Sequence, residues 1–175
     1  LQDLIGYGGL GVREELEEAF RGQVFASPLV ELMVESGRTG KRNGRGYYIY
    51  EKGSKPRPDQ SILSIVEESK KRSNIMPGGQ PISISDGEIL EMIFFPVVNE
   101  ACRVMGEGIV ARASDLDIAS VLGMGFPNYR GGIVFWADSI GPGYIDASLS
   151  KWTETYGNFF RSSRYLEERA KKAIA

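Results

Sequence analysis

Apolar positions recur at helical spacing along most of the second half of this chain, and only in short bursts along the first. The clearest stripe is Ile145, Leu149, Trp152 and Tyr156, which predicts a helix halted at Gly157. Upstream, Ser85 and Glu88 have the spacing of a capping box, in which each side chain accepts the other residue's amide. The box opens an apolar run to about Met105, with Pro96 inside it. Proline lacks an amide to donate, so a kink is expected between Phe95 and Asn99. Ser114 with Asp117 reads as a second box. It opens a helix carrying Leu116, Ile118, Ala119, Val121 and Leu122, which ends at Gly123-Met124-Gly125-Phe126-Pro127. Gly132 to Ile140 reads as a compact apolar helix, and Ser163 as the start of a polar final one.

The first half is more broken. Val12 to Phe20 is acidic and helix-prone, and Ser27-Pro28 supplies a cap and first turn for a helix through about Ser36. From Gly37 to Gly53 the chain is glycine-rich and basic around Tyr47-Tyr48-Ile49-Tyr50, long enough for one hairpin arm or an extended segment. Lys55-Pro56-Arg57-Pro58 reads as a linker. Asp59 can cap a helix with Ile62, Leu63, Ile65 and Val66 on one face and Glu67, Glu68, Lys70, Lys71 and Arg72 in water, and Asn74 to Pro81 is turn-like. This places one structural segment at 1–53, a linker with a surface helix at 54–84 and a complete helical unit at 85–175. Gln2-Asp3-Leu4-Ile5-Gly6-Tyr7-Gly8 also resembles Ala137-Asp138-Ser139-Ile140-Gly141-Pro142-Gly143. Such a repeat implies an aspartate near the end of a short helix, an apolar side chain into the core and a glycine where the chain reverses.

Composition narrows the function classes. With 175 residues, 42% of them hydrophobic, the chain suffices for one ordinary domain or two small helical units. Its 21 basic and 23 acidic residues leave a net charge of -2, so no global field gathers nucleic acid or an anionic membrane. No apolar stretch approaches the ~18 residues of a membrane span, and there is no signal-peptide arrangement. Cys102 stands alone in an apolar run and reads as a core thiol. The chain contains no histidine, the side chain that most often shuttles protons near neutral pH. That removes Ser–His acyl transfer and a Cys–His zinc site, and the scattered acids lack calcium-loop spacing. The start at Leu1, directly into Gln2-Asp3-Leu4-Ile5, reads as that of an excised fragment.

Four features bear on chemistry. Gly6-Tyr7-Gly8-Gly9-Leu10-Gly11 fits the dinucleotide-binding spacing, but that motif needs a buried strand before it and a βαβ unit around it, so a turn is the stronger reading. Arg38, Lys41, Arg42 and Arg45, interleaved with glycines, can present cations and amides to a phosphate or stand as a solvated loop, and they do not form a Walker A loop. Asp115 and Asp117 sit at a helix start, where carboxylates cap amides and favour the dipole. Asn99, in an apolar helix, needs a partner, and a structural bond to a neighbouring element is the favoured reading over catalysis.

The runs Glu88 to Ala101, Glu107-Gly108-Ile109, Ser114 to Ala119, Gly125-Phe126-Pro127 and Arg130-Gly131-Gly132 resemble the C-terminal domain of 3-hydroxyacyl-CoA dehydrogenases. Gly40-Lys41 through Gly44-Arg45-Gly46-Tyr47-Tyr48-Ile49-Tyr50 is similar to the segment that closes the first copy of that domain. Two such units in tandem resemble the multifunctional proteins of fatty-acid β-oxidation, plant peroxisomal members most, with bacterial cytoplasmic subunits as the alternative. The resemblance implies an all-α helical bundle with one complete unit plus part of a preceding one. It implies NAD as cofactor of a larger enzyme, held by a domain outside this chain that also supplies the catalytic residues. This stretch is then catalytically inactive by itself. It packs against the nucleotide-binding domain and the first C-terminal unit in place of a dimer partner, and tends to self-associate when isolated. Asn99 inherits no catalytic role, and Lys41, Arg42 and Arg45 are the candidate contacts for the phosphates of coenzyme A. The alternative is a stand-alone phosphate- or RNA-binding module using Arg38 to Tyr50. No targeting signal is read in the chain, and neither a metal site nor a nucleic-acid partner is expected under the leading reading.

Overall fold

The computed structural model describes residues 2–7, 15, 18–20, 27–73 and 84–174, and the chain divides into two compact units, Leu1–Ile82 and Ser83–Ala175. The second unit is built on α4 (Asp86–Gly106), opened by the expected capping box: the Glu88 amide donates to Ser85 Oγ at 3.3 Å and the Ser85 amide to Glu88 Oε2 at 3.0 Å. The bond from the Ser85 amide, followed by that from its hydroxyl, holds the Glu88 carboxyl below its ordinary pKa. α4 continues through Pro96. Its buried face is Phe95, Val98, Asn99 and Cys102, spaced so that all four lie on one side of the helix.

Against that face pack α6 (Ile133–Ile140), α7 (Pro142–Tyr156) and α8 (Arg164–Ile174), while α5 (Ala113–Met124) lies on α6 and adds Ala113 and Leu116 to the core. The stripe read from the sequence is real: Ile145 and Leu149 are fully buried, Trp152 nearly so, and Gly157 ends α7. Aromatic rings fill the centre. Phe95 lies 5.9 Å from Trp152 and from Tyr144, and 6.1 Å from Trp136, while Phe94 meets Phe126 and Trp136 edge-on at 5.8 Å. Each large side chain buried here contributes on the order of 1.5–3 kcal/mol. Cys102 lies inside this core, and burial pushes its thiol up to about 11, as suits an inert core residue.

One expectation for this unit is corrected. The helix at 113 is not opened by Ser114 with Asp117: the Arg112 amide donates to Asp115 Oδ2 at 3.2 Å, and the Asp115 amide returns to the Arg112 carbonyl at 3.1 Å. Asp117 turns instead to the start of α6. The last helix does begin after Ser163, whose hydroxyl accepts the Leu166 amide at 3.3 Å.

The first unit is assembled differently. It holds α1 (Gln2–Ile5), α2 (Leu29–Glu35), a 3-10 turn at Lys41–Asn43, the strand pair β1 (Tyr48–Ile49) and β2 (Arg57–Pro58), and α3 (Ile62–Ser73). The strands run antiparallel with Tyr48 opposite Pro58 and Ile49 opposite Arg57, so the stretch expected as a linker carries one arm of a hairpin. Proline is tolerated there because a two-stranded ribbon has an outer edge. α2 packs on α3, with Leu32 and Met33 buried. On α3 the buried side includes Ser69, while Leu63, expected on the apolar face, is exposed. Leu4 and Ile5 are also exposed, so α1 does not send an apolar side chain inward; it buries Asp3. Among the described residues this unit relies on buried polar side chains, Asp3, Arg38, Asp59 and Ser69, where the second relies on an apolar core. Most of the helix expected over 12–20, the glycines at 8, 9 and 11 and the turn at 74–81 lie outside the described residues.

Candidate functional site

The glycine-rich loop from Arg38 to Tyr50 is held at two points. The first is Asp3, only 5% exposed, which gathers four donors: Tyr7 Oη at 2.5 Å, the Tyr47 and Tyr48 amides at 3.0 and 3.1 Å, and Tyr50 Oη at 2.9 Å. Burial opposes ionisation of this carboxyl, but the four bonds prevail and hold it below its ordinary pKa. Burial, then the bond to Asp3, pushes the Tyr7 phenol up, so it stays a donor. Gly46 must be glycine for this closure, because a Cβ at that position would fall on the Asp3 carboxylate.

The second point is Asp59. Arg38, 3% exposed, donates to Asp59 Oδ2 at 2.8 Å, to the Gly46 carbonyl at 2.7 Å and to Ser61 Oγ at 2.6 Å. The hydroxyl and amide of Ser61 bond Asp59 Oδ1 at 2.7 and 3.0 Å, so Asp59 also organises the approach to α3, as a cap was expected to do. The Ser61 hydroxyl first, and Arg38 next, hold the Asp59 carboxyl well below the usual carboxylate range. A buried arginine paired this fully fixes the loop against α3; removing one partner would strand a buried charge.

These ties decide what the loop can bind. Arg38 belongs to the interior of the unit, unlike its expected place in a cationic rim. Arg45 reaches back to Asp59 at 3.2 Å and Ser61 at 3.2 Å with about half its side chain in water, and Lys41 and Arg42 stand exposed on the 3-10 turn. The amides of Thr39, Gly40, Gly44, Arg45, Gly46, Tyr47 and Tyr48 are engaged within the unit, those of Thr39 and Arg45 with the Asn43 side chain, so they form no anion cradle. The Tyr47 and Tyr50 hydroxyls bond Gln2 and Asp3, and the Tyr47 ring meets Tyr7 edge-on at 6.3 Å, so of the loop's three tyrosines only Tyr48 presents an exposed ring. Of the Gly6 to Gly11 motif only Gly6 and Tyr7 lie among the described residues, and they follow the helix α1 where dinucleotide binding requires a strand.

In the second unit Asn99 is fully engaged: Nδ2 donates to the Arg161 carbonyl at 2.9 Å and Oδ1 accepts the Ser163 amide at 2.7 Å. Arg103 joins it on the Arg161 carbonyl at 3.0 Å. This is the structural bond expected of it, made to the connection before α8. α5 is different in kind. Its polar side chains Asp115, Asp117 and Ser120 are engaged at helix starts, while Ile118, Leu122 and Met124 project into water, Leu122 with 81% of its surface exposed. Ile89, Leu90 and Ile93 of α4 and Phe135 of α6 add further exposed apolar surface. The sequence pattern flagged α5 as apolar but did not separate its buried from its open side.

No family model matches the chain. The fold is mostly helical and is shared with the dehydrogenase part of multifunctional enzyme 1 from C. elegans, which superposes with a TM-score of 0.64 over 95% of this chain and 37% of that one, at 23% identity. Sequence relatives carry the assignment further. The chain is 67% identical over 171 residues to the peroxisomal fatty acid beta-oxidation multifunctional protein AIM1 of Arabidopsis thaliana, and 61% identical over 175 residues to the peroxisomal fatty acid beta-oxidation multifunctional protein of Oryza sativa. It belongs, as a segment, to the plant peroxisomal fatty-acid β-oxidation multifunctional proteins. These matches cover 97% and 99% of this chain but 24% of the length of each relative. The human peroxisomal bifunctional enzyme is 33% identical over 134 residues, covering 75% of this chain and 18% of that protein.

Proposed function

We propose that this chain is a non-catalytic helical portion of a peroxisomal β-oxidation enzyme that oxidises 3-hydroxyacyl-CoA to 3-oxoacyl-CoA with NAD. In this reading 1–53 is the end of one C-terminal unit, 54–84 joins it to the next, and 85–175 is the second unit, standing where a dimer partner would otherwise support the dehydrogenase site. The observation that carries the proposal is the exposed apolar surface of α5, with Ile118 and Leu122 open to water, in a chain 67% identical over 97% of its length to a plant multifunctional protein. Such a surface is suited to the nucleotide-binding domain and the first C-terminal unit of the same parent. Lys41, Arg42 and Arg45 are the contacts we assign to coenzyme A phosphates, the first two with exposed side chains and Arg45 tethered to Asp59.

The test is a calorimetric titration of the chain with NADH and separately with acetoacetyl-CoA, together with an assay of NADH oxidation and sedimentation analysis. Neither NADH binding nor turnover is expected, and association should rise with concentration and fall in Leu122→Glu. Saturable NADH binding or turnover would contradict the supporting role. Acetoacetyl-CoA binding unchanged by the Lys41→Ala, Arg42→Ala pair would remove the coenzyme A contacts alone.

A further inference from the structure

The repeat in the sequence is also a repeat of structure. Gly6 and Gly141 both turn at positive φ, 90° and 104°, and each returns its amide to the carbonyl four residues back, on Gln2 at 2.7 Å and on Ala137 at 2.9 Å. Three residues before each glycine stands an aspartate, Asp3 or Asp138. In each unit a later helix follows a serine whose hydroxyl accepts a first-turn amide, Ser27 from Leu29 and Ser163 from Leu166.

The two aspartates are completed differently. Asp3 is buried under four donors from Tyr7 and the Gly46–Tyr50 stretch. Asp138 accepts from Arg169 at 2.8 Å with about half its side chain in water. A carboxylate has roughly four acceptor positions, so Asp138 has room for more donors. Pro142 occupies the place of Tyr7 and contributes no hydroxyl. Beside Asp138 runs an open groove of about 530 Å³, bounded by Pro142, Tyr165, Glu168, Arg169 and Lys172. Its two acids and two bases balance, which suits a neutral segment of backbone better than an ionic ligand. Pro142 and Tyr165 offer apolar walls, as Tyr7 does to the ring of Tyr47.

We propose that this groove docks an extended glycine–tyrosine peptide segment from another polypeptide, whose successive amides and phenol bond Asp138 as Tyr47, Tyr48 and Tyr50 bond Asp3. The inference does not depend on the β-oxidation reading.

A labelled peptide with the sequence of Gly44–Tyr50, Gly-Arg-Gly-Tyr-Tyr-Ile-Tyr, tests it by fluorescence anisotropy against the 175-residue chain. Saturable binding is expected, absent for a scrambled peptide and weakened about tenfold or more by Asp138→Asn. That carboxylate is half exposed, so the variant should fold, which far-UV circular dichroism checks. Tyr165→Ala should weaken binding as well. No saturation at millimolar protein, or binding indifferent to Asp138→Asn, overturns the proposal. So does binding lost in Asp3→Asn but kept in Asp138→Asn, because that pattern means the peptide exchanges with the chain's own loop.

Discussion

The carboxylate of Asp117, in the second turn of α5, accepts the amide of Val134 at 2.7 Å and that of Phe135 at 3.1 Å, so one helix caps the start of another. The approach is close enough that a Cβ on Gly132 would collide with Asp117. Asp117→Ala should therefore cost about 1–2 kcal/mol, the usual effect of losing a helix cap. Asp117→Asn, which keeps an acceptor oxygen, should cost less. Urea midpoints for the two variants decide it, and equal losses would mean that the cap depends on the carboxylate charge and that a neutral acceptor oxygen does not replace it.

Asn99 ties the middle of α4 to the connection before α8 through both ends of its amide. Asn99→Leu removes both bonds and strands the Ser163 amide in the interior, at a cost of about 2–4 kcal/mol. Because the role is structural, Asn99→Asp should also destabilise, by putting a charge where Nδ2 donated. Thermal melts of the isolated chain read both effects. A neutral Asn99→Leu would reopen a role for this residue outside folding.

Two glycines should respond in opposite directions to alanine. Gly46→Ala drives a methyl into the Asp3 carboxylate and should loosen the loop, costing on the order of 1–3 kcal/mol. Gly87→Ala, in the first turn of α4, meets only Ser85 Oγ at 3.9 Å and should stabilise by about 0.5–1 kcal/mol. Denaturation curves that move both variants the same way would contradict this assignment of space.

Acid should open the first unit at its two latches. Asp3 and Asp59 both have folded pKa values below the unfolded ones. Their contribution is therefore complete above the unfolded value of about 3.9 and is lost as pH falls through the lowered folded values. The Tyr47 and Tyr48 amide resonances, which report on Asp3 directly, should titrate with a midpoint below about 3.9. A midpoint at or above that value would show that burial outweighs the four bonds.

What the sequence could and could not show follows from distance along the chain. The Ser85–Glu88 box and the Ile145 to Tyr156 stripe are local, each partner within a turn or two, and both were legible. Asp117 was misassigned because its partner lies 17 residues away, and a nearer serine offered a plausible box. The pairings of Arg38 with Asp59, 21 residues apart, and of Asp3 with Tyr50, 47 apart, leave no periodic trace. Arg38 and Arg42 look alike in a basic, glycine-rich run, yet one is interior and the other exposed, since burial is decided by the fold. The repeat was visible, but the side chain it buries in the first copy proved to be the aspartate.

The Asp3 latch has one more consequence. It joins residue 3 to residues 47–50, closing a ring of chain that a secreted protein of this size would commonly fasten with a disulfide. Closing such a ring reduces the freedom of the intervening segment whichever fastener is used. Here the fastener is a carboxylate with four donors, in a chain whose single cysteine lies elsewhere. The buckle is indifferent to thiols and oxidants, and it opens to protons instead.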